Sequence, residues 1–94
     1  MEIIWRDVAL GGLERAHRYI ADHDPAAAER IFEAILAAVQ RLPKMPNMGR
    51  PGRVDGTREL VVVGTPYLVV YSVIDNVLHI IAVQHGAREW PRRF

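Results

Sequence analysis

Tyr67-Leu68-Val69-Val70-Tyr71-Ser72-Val73-Ile74-Asp75-Asn76-Val77-Leu78-His79-Ile80-Ile81-Ala82-Val83-Gln84 is the stretch whose reading decides the fold. Two runs rich in Val, Ile, Leu and Tyr, residues that fill a pleated surface, flank Asp75-Asn76, a pair able to take the left-handed backbone of a two-residue hairpin. Such a turn fixes the register. Tyr71 then faces Ile80, Val69 faces Ala82 and Tyr67 faces Gln84 on one face, while Ser72, Val70 and Leu68 pair with His79, Ile81 and Val83 on the other. Both faces are largely apolar, so one is expected to pack on helices. The other leaves Val69, Tyr71, Val73, Leu78 and Ile80, or their counterparts, on an open face suited to binding.

Working outward, Thr57 to Val63 reads as a further strand joined through Gly64-Thr65-Pro66. If that turn also holds two residues, Arg58 comes opposite Tyr71 and sets a guanidinium beside a phenol on the open face; a third turn residue reverses the assignment. Residues 43–56, Pro-Lys-Met-Pro-Asn-Met-Gly-Arg-Pro-Gly-Arg-Val-Asp-Gly, hold three Pro and three Gly, which excludes helix or central strand. A loop of that length in so short a chain is either functional or a necessary link between helix layer and sheet.

Earlier in the chain the period changes to helical. Leu13, Ala16 and Ile20 mark a helix from Asp7, its expected cap, to about Asp22, weakened by Gly11-Gly12. Asp24 as N-cap and Pro25 at the first helical position open a second helix, whose stripe of Ala28, Ile31, Phe32, Ile35, Val39 and Leu42 runs to Pro43. The two form an antiparallel hairpin. Met1 to Trp5 reads as a strand directly before them. The expected architecture is α+β in the order βααβββ, with the N-terminal strand and helix hairpin packed on a three- to four-stranded antiparallel sheet, as one domain over residues 1–94.

Composition bounds the chemistry. The chain has 94 residues, 12 Lys+Arg against 11 Asp+Glu and no Cys, which removes disulfides, thiolate nucleophiles and Cys-ligated zinc. No apolar run is long enough to span a membrane and the N-terminus lacks signal-peptide character, so a cytoplasmic location and no membrane partner are expected. Charge is uneven: residues 1–42 carry five Arg and seven acids, a net of −2, whereas residues 43–94 carry seven Lys+Arg and four acids, a net of +3. That excess, Lys44, Arg50, Arg53, Arg58, Arg88, Arg92 and Arg93, offers either a local anion-binding face or a solvated surface.

Most site signatures are missing. Gly49-Arg50-Pro51-Gly52-Arg53 lacks the GxxxxGK[ST] frame and His17 and His23 lack a HExxH frame, so no nucleotide, metal or other cofactor is expected, and the absence of GxSxG argues against an esterase elbow. What remains is Arg58, Tyr71, His85, Arg88 and Trp90, with Arg50 and Arg53 on the loop. Metal-free RNA cleavage needs a base at the 2′-OH, an acid at the leaving oxygen and cations against the phosphorane; His suits proton transfer, Arg the charge, and an aromatic ring the stacked base. Each also has a structural reading, Tyr71 as a core-rim tyrosine, Trp90 as a hydrophobic plug and His85 as a strand-end residue.

The order strand, helix hairpin, Gly-Arg-Pro-Gly-Arg loop, Gly56-Thr57-Arg58-Glu59-Leu60-Val61-Val62, Pro66-Tyr67-Leu68-Val69-Val70-Tyr71 and Val83-Gln84-His85-Gly86-Ala87-Arg88-Glu89-Trp90-Pro91 resembles the RelE/ParE superfamily of bacterial type II toxins along the whole chain. The resemblance implies a growth-inhibiting toxin, wrapped and neutralised by a cognate antitoxin in a hetero-oligomer. RelE-like members cleave mRNA on the ribosome, and this is the leading reading; ParE-like members poison DNA gyrase without nuclease activity, and this is the alternative. By resemblance Arg58 and Arg88 hold phosphate and His85 transfers protons, with Arg50, Arg53, Tyr71 and Trp90 contacting substrate or partner. The chain departs from the RelE-like pattern at Leu68, where that pattern has Arg, at Glu59 and Leu60, which replace bases beside Arg58, and at Phe94, where a catalytic Tyr stands.

Overall fold

Asp75 and Asn76 take φ of 51° and 61° in the computed structural model, the left-handed pair that a two-residue hairpin needs. The structure describes residues 1–87, 90, 91 and 94. Its elements are β1 (Glu2–Trp5), α1 (Asp7–Ala21), α2 (Pro25–Arg41), β2 (Arg50–Pro51), β3 (Arg58–Val61), β4 (Tyr67–Ile74) and β5 (Val77–His85).

The helices form where the sequence places them. Asp24 caps α2 by accepting the Ala27 N–H at 3.0 Å, and Pro25 follows at the helix start. Asp7, by contrast, is the first helical residue and not the cap of α1; Arg6 occupies the cap with no side-chain bond. The cause is the sheet: the Arg6 N–H is engaged by the Ile80 carbonyl at 2.9 Å, which extends the β1–β5 ladder to the helix start. Asp7 still favours the positive end of the helix dipole.

The sheet has five strands in the order β1-β5-β4-β3-β2, not three or four. It is mixed and not purely antiparallel, because β1 lies parallel to β5; residues 6–76 supply the long crossover that parallel neighbours require. The extra strand is β2, where Arg50 and Pro51 pair with Glu59 and Arg58 at the sheet edge, the place where a proline's missing donor is tolerated.

The predicted β4–β5 register holds from the turn to Tyr71↔Ile80 and then slips by one. Ile81 is an extra residue in β5, so Val70 pairs with Ala82, Val69 with Val83, Leu68 with Gln84 and Tyr67 with His85. The bulge turns Val83 inward and brings His85, not Gln84, beside Tyr67. Across β3 the register is as expected, with Arg58 opposite Tyr71.

Of the five residues expected on an open apolar face, only Val73 is exposed. Val69, Tyr71, Leu78 and Ile80 lie in one buried cluster with Leu13 and Ala16 of α1 and Ile35, Val39 and Leu42 of α2. Each fully buried large aliphatic side chain there stabilises the fold by about 1.5–3 kcal/mol. The opposite face is covered as well: Glu59, Leu68, Val70 and Ala82 are all buried. The Arg53–Gly56 loop folds across it, with Val54 buried and the Ser72 Oγ donating to the Gly56 carbonyl at 2.6 Å. Trp90 joins it under the Arg53 guanidinium. The proline- and glycine-rich loop therefore spends its length closing a face that the helices do not reach.

Candidate functional site

Tyr71 organises one end of the sheet. Its ring is fully buried, and its hydroxyl donates to the Pro46 carbonyl at 2.7 Å while accepting the Gly49 N–H at 2.9 Å. Burial pushes its pKa above the ordinary range, more than the Gly49 hydrogen bond and the Arg58 charge pull it down. Gly49 is required here, because a Cβ would stand 2.7 Å from the phenol oxygen and 2.9 Å from the Glu59 carbonyl. Arg58 lies alongside, its Nη1 donating to the Gly49 carbonyl at 2.6 Å. Guanidinium and phenol are thus neighbours, as expected, but on the helix-covered face. A cleft of about 330 Å³ opens beside them, lined by Pro46, Asn47, Thr57, Arg58 and Ser72 among others.

Arg50 and Arg53 converge on Glu59 on the other face of β3. Arg50 Nη2 lies 3.1 Å from Glu59 Oε1, and Arg53 gives its backbone N–H at 2.7 Å and its Nε at 3.2 Å to Oε2. The carboxylate is 2% exposed, its two partners about half exposed. Burial raises the Glu59 pKa, but the Arg53 N–H, the two guanidinium hydrogen bonds and the Arg53 charge together hold it below the usual carboxylate range. The Arg53 guanidinium stacks 3.7 Å from the Trp90 ring centroid. The Trp90 Nε1 is buried without a hydrogen-bond partner among the described residues.

His85 ends β5 in a different place. Its Nδ1 accepts the Ala87 N–H at 3.0 Å, and its ring meets Tyr67 edge-on at 5.4 Å. With Nδ1 committed as acceptor, the neutral ring carries its proton on Nε2 and presents a donor, not the lone pair of a base. His85 pairs with Tyr67 and Arg58 with Tyr71, four residues apart along β4 and on opposite sides of it. Strand geometry puts their backbones about 16 Å apart. Arg50, Arg53, Arg58, Tyr71 and Trp90 are therefore gathered at one end of the sheet, and His85 stands apart from them. Arg88 lies outside the described residues.

Three residues at these sites were not read from the sequence. Glu59 enters the sequence reading only as a departure from a basic pattern, and its role needed the β2–β3 pairing to be seen. Arg15 and Tyr19 line a small cleft with His85; the i, i+3, i+4, i+7 spacing of Gly12, Arg15, Ala16 and Tyr19 puts them on one helix face, but only the β5 bulge tells which strand residue that face meets. Among the described residues no group of three His, Asp or Glu is placed to hold a metal, and no helix is long and apolar enough to cross a membrane.

Compared with known proteins, residues 3–90 match the family described as "ParE toxin of type II toxin-antitoxin system, parDE". Relatives include "Putative toxin Y4kP" of Sinorhizobium fredii, 40% identical over 90 residues that cover 96% of this chain and 93% of the relative. "Toxin RelE2" of Caulobacter vibrioides is 36% identical over 87 residues, covering 93% and 97%. Among solved structures, a chain described as "Chromosomal ParDE TA system from P. aeruginosa" superposes with a TM-score of 0.84 over 90% of this chain and 95% of that one, at 23% identity, a likeness of fold.

Proposed function

The chain belongs to the ParE toxin family of type II toxin-antitoxin systems, within the RelE/ParE superfamily, and from that premise we propose that it arrests growth by binding DNA gyrase and not by cutting mRNA. In this reading one toxin domain over residues 1–94 acts in the cytoplasm, held inactive in a hetero-oligomer by a cognate antitoxin. The observation that carries the choice is the separation of Arg58 from His85 across β4. A metal-free RNA cut needs proton transfer and cationic stabilisation within a few ångströms of one phosphate. Here the arginine is held on the Gly49 carbonyl, some 16 Å of backbone from the histidine. Arg50, Arg53, Arg58, Tyr71 and Trp90 then serve as scaffold and docking surface.

The test is brief induction of the chain alone in a bacterial host, with mRNA 5′ ends mapped and plasmid topology read from the same culture. Unchanged mRNA ends with relaxed or cleaved plasmid are expected. New 5′ ends at fixed codon positions that disappear in His85→Ala and Arg88→Ala would overturn the gyrase reading and restore ribosome-dependent mRNA cleavage.

A further inference from the structure

The cleft between α1 and the end of β5 shows what α1 offers beyond packing. Gly12, Arg15, Ala16 and Tyr19 form its helix wall, and Val83, Gln84, His85 and Tyr67 its sheet wall. The walls close tightly because Gly12 has no Cβ; one would lie 2.8 Å from the Val83 carbonyl oxygen. The space left is about 60 Å³, room for a single small polar group.

Its chemistry is one-sided. Arg15 makes no ion pair or hydrogen bond among the described residues, whereas Arg18, one turn further along the same helix, is paired with Glu14 at 3.1 Å. His85 has its donor at Nε2, because its Nδ1 is taken by the Ala87 N–H. The exposed Tyr19 adds a hydroxyl. No carboxylate is among the described residues that line the cleft. Residues that carry a guanidinium, an imidazole and a phenol line one small space, and those groups suit one oxoanion held by charge-assisted hydrogen bonds.

We propose that Arg15, His85 and Tyr19 form a subsite for one Asp or Glu carboxylate of a protein partner. A protein source is favoured over nucleic acid by the surroundings. Val8 and Tyr19 leave apolar surface exposed on the same side of α1, which suits a folded or helical partner. Affinity for a phosphate backbone comes instead from many cations tracking the strand, and residues 1–42 carry a net of −2. The subsite lies apart from the Arg58 end of the sheet and does not depend on which target the toxin has.

The experiment is a titration of the full chain, followed by the side-chain ¹⁵N resonances of His85 and Arg15, with a capped hexaglutamate peptide and separately with a 12-nucleotide single-stranded DNA. Saturable shifts with the peptide are expected, weakened at least about tenfold by Arg15→Ala and left unchanged by Arg18→Ala. Arg15 has no partner to lose among the described residues, so Arg15→Ala should keep the native amide spectrum. No shift with the peptide, or equal weakening by both substitutions, overturns the subsite. Tighter, Arg15-dependent binding of the DNA overturns the carboxylate assignment. Because gyrase is absent, failure here is distinct from failure of the target reading.

Discussion

Tyr71→Phe removes one oxygen from the centre of the molecule and should be felt well beyond that atom. The phenol bridges the Pro46 carbonyl and the Gly49 N–H at 2.7 and 2.9 Å, with its ring fully buried. Each hydrogen bond contributes about 1 kcal/mol net, and the stranded Gly49 donor adds a desolvation cost, for a total of about 2–3 kcal/mol. For a domain of this size that corresponds to a fall in Tm of roughly 10–20 °C. Thermal unfolding followed by circular dichroism measures it, and amide hydrogen exchange localises it, with Gly49 expected to lose protection first. A pH series supplies a second arm. The folded pKa lies above the ordinary value of 10.0, so the phenol's contribution is complete below pH 10 and declines as pH rises through the folded pKa. The wild-type chain should lose stability in that range and Tyr71→Phe should not lose this component. A variant melting within about 2 °C of wild type, with Gly49 exchange unchanged, would refute the view that Tyr71 anchors the loop.

Glu59 behaves in the opposite sense. Its folded pKa lies below the ordinary 4.5, so its contribution is present above that value and lost as pH falls through the folded pKa; Glu59→Gln should flatten the acid limb of a stability–pH curve and cost about 1–2 kcal/mol at pH 7, measured by urea unfolding. Adjacent glycines on α1 should respond with opposite signs. Gly12→Ala forces a Cβ to 2.8 Å from backbone and should destabilise by about 1–3 kcal/mol, whereas Gly11→Ala meets only the flexible end of Arg15 and should stabilise by up to about 1 kcal/mol, both read from urea midpoints.

The helices and the β4–β5 turn were legible because each rests on a local signal, Asp24-Pro25 and Asp75-Asn76, whereas the Arg58–Tyr71 pairing was legible only as one of two alternatives, because the sequence does not fix how many residues the Gly64-Thr65 turn holds. The Ile81 bulge was not, since every residue from Ile80 to Val83 is apolar and no alternation marks the slip. That single residue decides whether Gln84 or His85 stands beside Tyr67, and so what faces Arg15. The side of the sheet reached by the helices was equally hidden, because both faces of β4 are apolar. Two-sided burial, and not an open binding face, accounts for the symmetry. The candidate residues could be listed from their chemistry alone, but a list of residue types carries no distances, and the separation of Arg58 from His85 across β4 became visible only in the structure.

The fate of the loop arginines follows from one substitution relative to the RelE-like pattern, the acid at Glu59 beside Arg58. A cation that stabilises a developing phosphorane must be available to it. Arg50 and Arg53 are instead held by a 2% exposed carboxylate that stays ionised at neutral pH. Drawing both onto a phosphate would leave that carboxylate buried and unpaired, at a cost of several kcal/mol. Docking of a protein surface carries no such penalty. Both guanidinium groups are about half exposed while still paired, and Arg53 presents its stacked face with Trp90. The cluster that opposes phosphate binding thus leaves a partly charged surface in place, and this is why the gyrase-directed proposal is preferred over a nuclease one.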